Sequence, residues 1–224
     1  MNWSYAGICL LQVDLKKLLA WVVSSGADVL LDIWERPGQG KLKLYIDGLA
    51  QGTPGLAGGG GVLRDDQGKW VLGYSRKIGR SGVFAGLVIT SSLEDWRTSW
   101  FLPEWLALRD GLHLCLSKNH LDVEVELDAK IIVDALTTTQ QSDQPVSPLM
   151  DDCRSLSTRF NHIQFKHCYR EVNKCAIGLA GKGVTQIDDF FVYDNPPVEL
   201  ENNFIHDLNG LYSIRHCTAS SLDS

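Results

Sequence analysis

Apolar and polar residues alternate over residues 41–46, with Leu42, Leu44 and Ile46 at every second position. This period of two predicts a half-buried strand. The stretches GGGGVLRD (residues 58–65) and WVLGYSRKI (residues 70–78) fit two further strands, joined by the turn sequence DDQGK at residues 65–69. Because the connections are short, the three strands are predicted to form an antiparallel meander.

The rest of the chain alternates between patterns typical of helices and patterns typical of strands. The predicted helices span residues 104–117, 129–138, 148–160 and 172–183, and the predicted strands span residues 121–128 and 162–169. A meander followed by βα units predicts an α/β fold. Its mixed five-stranded sheet has three antiparallel strands and then two parallel ones, with helices on both faces.

The segments outside this pattern predict how the chain is divided. An apolar stretch with a helical period covers residues 8–24, and the breaker-rich sequence ERPGQGK at residues 35–41 separates it from the meander. We therefore predict an N-terminal helix and linker over residues 1–40 and a main domain over residues 41–185. An insertion is predicted at residues 85–103 and a C-terminal tail at residues 186–224.

Composition and charge narrow the possible functions. Apolar residues make up 44% of the 224 residues, which is enough for a substantial core, and the formal net charge is −6. An acidic balance argues against a non-specific nucleic-acid binder, but it is compatible with a metal-dependent nuclease. The six cysteines form no CxxC pair, so a zinc site is not expected. No signal peptide or membrane-spanning stretch is recognised, so we expect an intracellular protein of the nucleus or cytoplasm, not a secreted one.

Five glycines between residues 55 and 61 raise the question of a phosphate-binding loop. Such a loop would need the pattern GxxxxGK[ST], and a dinucleotide fingerprint would need GxGxxG ahead of a helix. The chain has no P-loop pattern, and its glycines lead into another strand. They are interpreted as a strand start at which another backbone approaches closely.

Two aspartates occupy similar places at the ends of predicted strands. Asp47 follows the apolar run of the first strand, and Asp128 follows VEVEL and precedes a helix. Each has an ordinary structural explanation, as a turn residue for Asp47 and as a helix N-cap for Asp128. Ligands of open sheets gather at the carboxyl ends of strands, so the two side chains are also expected to face each other there.

Several motifs in this order resemble one known family. They are YIDG around Asp47, the run GTPGLAGGGGVLRDDQGKW, EWLALRDGL with Glu104, VELDA with Asp128, and HCYREVNKCA. Together they resemble ribonuclease H, and most of all the type-1 ribonuclease H-like domains of plant genes related to retroelement polyproteins. The resemblance covers roughly residues 34–215.

The resemblance implies a fold, a reaction and a set of site residues. Family members have the ribonuclease H-like fold and cleave the RNA strand of RNA–DNA hybrids with two Mg²⁺ ions, for which Mn²⁺ is a possible substitute. It implies that Asp47, Glu104 and Asp128 bind the metal and act in catalysis. The substrate contacts that it implies are Gly48, Gly52, Thr53, Arg170 and Asn173.

The sequence departs from the family pattern at two important places. Ile177 stands in NKCAIGLA where the family has a fourth acid, and isoleucine cannot bind a metal ion. The apolar segment at residues 85–103 replaces a short loop, and it is either an insertion that packs on the surface or translated intron sequence. Cleavage of hybrids is therefore expected to be impaired. The alternative is a non-catalytic module that binds hybrid or structured RNA, or a domesticated fragment that acts through protein contacts.

Overall fold

The computed structural model describes residues 29–52, 55–80, 101–138 and 148–216. The strands are β1 (Val29–Ile33), β2 (Leu42–Gly52), β3 (Gly55–Arg64), β4 (Trp70–Arg80), β5 (Asp122–Leu127), β6 (His162–His167), β7 (Phe190–Tyr193) and β8 (Tyr212–His216). The helices are α1 (Leu102–Ser117), α2 (Lys130–Thr137), α3 (Pro148–Ser157), α4 (Lys174–Thr185) and α5 (Glu201–Leu208). The predicted helix over residues 8–24 and residues 85–100 of the predicted insertion lie outside the described ranges.

The predicted sheet is present, with its strands in the order β6-β5-β2-β3-β4-β7. Strands β2, β3 and β4 form the antiparallel meander, and β5 and β6 extend it on the β2 side as parallel strands. The prediction of an α/β fold with a mixed sheet is therefore confirmed. The hydrogen bonds from the amides of Gln67 and Lys69 to Asp65 Oδ1 close the β3–β4 turn at 2.9 and 2.8 Å.

The two faces of the sheet pack different helices, as the alternation along β2 requires. Leu44 and Ile46 face the larger core, which includes Leu108 and Leu112 of α1. Tyr45 faces the opposite way into a smaller core with Leu179 of α4. Helices on both faces therefore bury the meander from both sides.

The glycine-rich part of β3 lies directly beneath α4. A Cβ atom on Gly58 would overlap the backbone of Gly183 and Val184, and one on Gly60 would overlap the backbone of Leu179 and Ala180. The interpretation as a site of close backbone approach is thus confirmed, although these glycines lie within β3 and not at its start. Only glycine lets a helix approach a strand this closely.

Part of the predicted C-terminal tail belongs to the main compact unit, which extends from Trp34 to Leu211 and not only over residues 41–185. Strand β7 pairs antiparallel with β4 and adds a sixth strand to the sheet. Helix α5 is held by an ion pair of 2.8 Å between Arg64 Nη2 and Asp207 Oδ2, both buried. The tail prediction missed these elements because a four-residue strand carries little local pattern.

A second unit contains the strands β1 and β8, which pair antiparallel from Val29 opposite His216 to Ile33 opposite Tyr212. It joins chain segments that lie far apart in the sequence. None of the helices in the described ranges combines the length and the apolar character that a membrane-spanning helix requires.

Candidate active site

The parallel pairing of β2 with β5 brings Asp47 and Asp128 to the same edge of the sheet. The last paired residues are Ile46 and Leu127, and the two aspartates follow them directly. The sequence suggested that Asp47 ends its strand, but β2 continues beyond it to Gly52 and remains paired with β3. Only the pairing of β2 with β5 ends before Asp47, so both carboxylates lie just beyond the last residues that these two strands pair.

Glu104 reaches the same site from the first turn of α1. This helix begins at Leu102 with Pro103 in its first turn, where a proline is tolerated because the backbone N–H it lacks would have no partner within the helix. A Cβ atom on Gly48 would overlap the backbone of Pro103 and Glu104. Gly48 therefore allows the helix to begin against β2, one residue beyond Asp47.

Burial raises the pKa of each of the three carboxyl groups, and for two of them another carboxylate of the three adds to the shift. The pKa of Asp47 is raised to about 8, chiefly because the group is buried and next because Asp128 places negative charge nearby. Burial also raises the pKa of Glu104 to about 8, and the charges of Asp47 and Asp128 add to this effect. Burial raises the pKa of Asp128 as well, although Arg170 opposes the shift. Buried acids with raised pKa values that act on one another are typical of functional sites.

Arg170 borders the carboxylates on their solvent side. Its Nε lies 3.9 Å from Asp128 Oδ2, and 61% of its side chain is exposed. The neighbouring ring of Tyr169 is exposed and meets the ring of His167 edge-on, with centroids 5.1 Å apart. The strand β6 thus ends in a basic and aromatic surface beside Asp128.

Asn173 is close to the carboxylates but is not a surface contact. Its side chain is 1% exposed, and its Nδ2 donates a hydrogen bond of 2.8 Å to the carbonyl oxygen of Ile46. This position differs from the expected substrate contact, because the amide is turned toward the backbone of β2. Its Oδ1 is buried and has no hydrogen-bond partner.

The other two predicted substrate contacts are Gly52 and Thr53. Gly52 is five residues beyond Asp47, where its φ of 84° turns the chain toward β3. At about 3.3 Å per residue, this is roughly 16 Å along the strand. Thr53 lies outside the described residues.

Ile177 lies one turn beyond Asn173 in α4. Its amide donates to the Asn173 carbonyl oxygen at 3.0 Å, so the two side chains project from the same side of the helix. The helix predicted over residues 172–183, which contains Ile177, is present as α4. Its aliphatic side chain supplies no oxygen to the site.

The residues fit a hard divalent cation in their chemistry. Mg²⁺ prefers carboxylate and carbonyl oxygens, and Asp47 Oδ2 and Glu104 Oε2 are buried without hydrogen-bond partners. Buried oxygens without donors are uncommon, and a cation with its waters would satisfy them. The carboxylates do not form a ready-made cage, however, since the described residues contain no group of three or more acidic, histidine or cysteine side chains set to hold a metal.

Three features of the site were not foreseen from the sequence. They are the contact between Gly48 and the start of α1, the burial of Asn173, and the exposed ring of Tyr169. The small residue after Asp47 was the only local sign of the first. The burial of Asn173 and the exposure of Tyr169 depend on where the chain turns after β6, and no periodic pattern in the sequence predicts that turn.

Comparisons with known proteins agree with this architecture. The reverse transcriptase-like family matches residues 86–183. The Arabidopsis thaliana protein At1g65750, which bears the name of a ribonuclease H protein, is 32% identical over 164 residues, or 73% of this chain. The chain spans only about a quarter (24%) of that relative's length.

Solved structures of ribonucleases H share the fold. RNase H1 from the halophilic archaeon Halobacterium salinarum is 25% identical, with a TM-score of 0.51 over 64% of this chain and 97% of that one. LC11-RNase H1, solved with an RNA/DNA hybrid, is 24% identical, with a TM-score of 0.50 over 64% and 96% of the two chains. The chain therefore carries a ribonuclease H-like domain, and its residues 86–183 match the reverse transcriptase-like family.

Proposed function

We propose that this protein is a metal-dependent endonuclease that cleaves the RNA strand of RNA–DNA hybrids, with activity reduced by the isoleucine at position 177. The observation that carries the proposal is the convergence of Asp47, Glu104 and Asp128 at one edge of the sheet, with two buried oxygens that lack partners. The similarity to ribonucleases H, one of them solved with a hybrid, supports this substrate. The reverse transcriptase-like match supports an origin in a retrotransposon.

The three carboxylates are proposed to hold Mg²⁺, or Mn²⁺ in its place. When bound, such an ion lowers the pKa of a coordinated water and neutralises charge on the phosphate. Because the pKa values of Asp47 and Glu104 are about 8, both groups are largely protonated at neutral pH without a cation. Binding of the cation must therefore displace protons from the site.

The other residues of the site have simpler proposed roles. Gly48 keeps the start of α1 close to β2, so that Glu104 and Asp47 share one environment. Arg170 is exposed and beside Asp128, where its guanidinium is available to a phosphate of the substrate. The ribose 2′-hydroxyl is the group by which such a site distinguishes RNA from DNA.

The test is a gel assay on a hybrid that carries a label on its RNA strand, in Mg²⁺ and in Mn²⁺. We expect slow cleavage of the hybrid by the wild type and none by Asp47→Asn. An RNA duplex and a single-stranded RNA of the same sequence are the matched substrate controls. Cleavage that survives in Asp47→Asn would contradict the proposal.

The second candidate is a module that binds hybrids or structured RNA without cleaving them, including a domesticated fragment with a protein partner. Ile177 favours this alternative, because α4 then lacks the acid expected of an active enzyme. Binding of the hybrid that is equally tight in the wild type and in Asp47→Asn, without cleavage by either, would support it. Loss of binding in Arg170→Ala would then identify the same edge of the sheet as the contact surface.

A further inference from the structure

Three oxygen atoms at one edge of the sheet are buried and lack hydrogen-bond partners. They are Asp47 Oδ2 on β2, Glu104 Oε2 on α1 and Asn173 Oδ1 just before α4. A buried polar atom without a partner is costly, so three of them in one place indicate a shared partner. The first two belong to the proposed metal ligands, but the role of Asn173 remains to be assigned.

The amide group of Asn173 has a fixed orientation. Its Nδ2 is held at 2.8 Å by the carbonyl oxygen of Ile46, the residue that precedes Asp47. Asn173 is also not used as a helix cap, since its side chain makes no capping hydrogen bond to α4. The remaining oxygen is therefore available to a donor or a cation beside Asp47.

We propose that Asn173 supplies, through Oδ1, the oxygen that α4 would otherwise present from an acid at position 177. Ile177 lies one turn further along the same side of the helix and offers no polar atom. Amide oxygens are accepted ligands of hard divalent cations, directly or through a bound water. Asn173 thus belongs to the cation site and is not only a support for β2.

This inference rests on the proposed function for the presence of a cation, so the test reads cation binding and not cleavage. Mg²⁺ and Mn²⁺ are titrated into the full chain by calorimetry at constant ionic strength. Asn173→Ala is expected to weaken cation binding by about tenfold, as loss of a supporting contact at a metal site commonly does. Asn173→Asp is expected to strengthen it by about tenfold, since it replaces an amide oxygen by a charged one at the same position.

A gain in cation affinity in Asn173→Asp distinguishes a residue that binds the cation from one with a purely structural role. An aspartate cannot donate to the carbonyl of Ile46, so a residue that only supports β2 would lose stability and gain no affinity. Thr185→Asp at the far end of α4 is the control for added charge, and we expect it to change the affinity by less than about twofold. Thermal melts of each variant establish that the titrated protein is folded.

Each outcome has a distinct meaning. Unchanged cation affinity in both Asn173 variants, with binding abolished in Asp47→Asn, would overturn this inference and leave the proposed function in place. No cation binding by the wild type would overturn both. A gain in Asn173→Asp that Thr185→Asp reproduces would assign the effect to overall charge and would also overturn the inference.

Discussion

Asp47 follows Ile46 and Asp128 follows Leu127, and Ile46 and Leu127 form the last pair of the parallel ladder between β2 and β5. The charge of Asp128 is the second largest cause, after burial, of the raised pKa of Asp47. Two acids in this position destabilise the metal-free protein and at the same time create a place for a cation. The stability of the metal-free protein and its affinity for a cation are therefore opposed.

Replacement of Asp47 by asparagine should stabilise the metal-free protein at high pH while removing its response to Mg²⁺. The substitution eliminates a buried charge beside Asp128, and we expect a gain on the order of 2 kcal/mol in the free energy of unfolding at about pH 9. Denaturant unfolding with and without Mg²⁺ measures both effects. A variant that is less stable than the wild type at this pH would show that the carboxylate is favourably paired.

The stability of the metal-free protein should fall as the pH rises. The pKa values of Asp47 and Glu104 are about 8 when folded and 3.8 and 4.5 ordinarily. The folded chain therefore binds more protons between these limits, and its stability declines from about pH 4 to about pH 8. Melting temperatures across this range check the sign.

Millimolar Mg²⁺ should oppose that decline, because the cation competes with protons for the same oxygens. The stabilisation by Mg²⁺ is expected to be larger at about pH 9 than at about pH 6. In Asp47→Asn the difference between the two conditions should shrink. A Mg²⁺ effect that does not depend on pH would place the cation elsewhere.

Replacement of Ile177 by aspartate should increase hybrid cleavage by at least about tenfold. The new carboxylate lies one turn beyond Asn173, whose side chain contacts the backbone of β2, and it adds a ligand for the cation. Initial cleavage rates in Mg²⁺ measure the change. Ile205→Asp, at an exposed isoleucine of α5, is the matched control and should leave the rate unaltered. No gain from Ile177→Asp would shift the cause of weak activity to the segment before Glu104.

Gly48→Ala should impair both activity and stability, because its methyl group overlaps the backbone at the start of α1. We expect a loss of about 1–3 kcal/mol in the free energy of unfolding, as for other overpacked sites. Gly181→Ala in α4 is the control, since a Cβ there meets only Leu49 Cδ2 at 4.0 Å. That change should stabilise the helix by up to about 1 kcal/mol. Comparable stability of the two variants would contradict the close approach.

Asp207→Ala should destabilise the fold strongly. It leaves the guanidinium of Arg64, 1% exposed, without its acidic partner at the sheet, and we expect a cost of about 3–5 kcal/mol. Glu199→Ala removes the exposed ion pair with Lys182 and should leave the melting temperature unchanged. A small effect of Asp207→Ala would mean that α5 is not essential to the sheet.

Much of the fold could be predicted because its elements have strong local patterns. The alternation along β2 and the apolar faces of α1 and α4 specify which side of each element is buried. The two aspartates could be paired in advance because strand ends in a parallel sheet meet at one edge. All nine elements predicted between residues 41 and 185 are present in the predicted order.

Other features depend on contacts between distant segments. The sequence of β3 does not reveal that Arg64 is buried, because its partner Asp207 lies 143 residues away. The four residues of β7 form a strand by pairing with Gly73–Arg76 of β4, and their sequence alone is too short to predict one. The resemblance implied that Asn173 contacts the substrate, whereas the turn after β6 places its amide against the carbonyl oxygen of Ile46.

The sequence by itself determined the order of the elements, the two faces of the sheet, the identities of the three acids and the absence of a fourth at position 177. The order of the elements and the two faces of the sheet follow from periodicity, whereas Glu104 as the third acid and the missing acid at position 177 follow from the resemblance to ribonucleases H. Only the tertiary structure decided how far each acid is buried, which acids raise one another's pKa, and which oxygens are left without a donor. Burial and electrostatic interaction are properties of side chains in space, and residues 47, 104, 128 and 173 become neighbours only after the sheet and both helices have assembled.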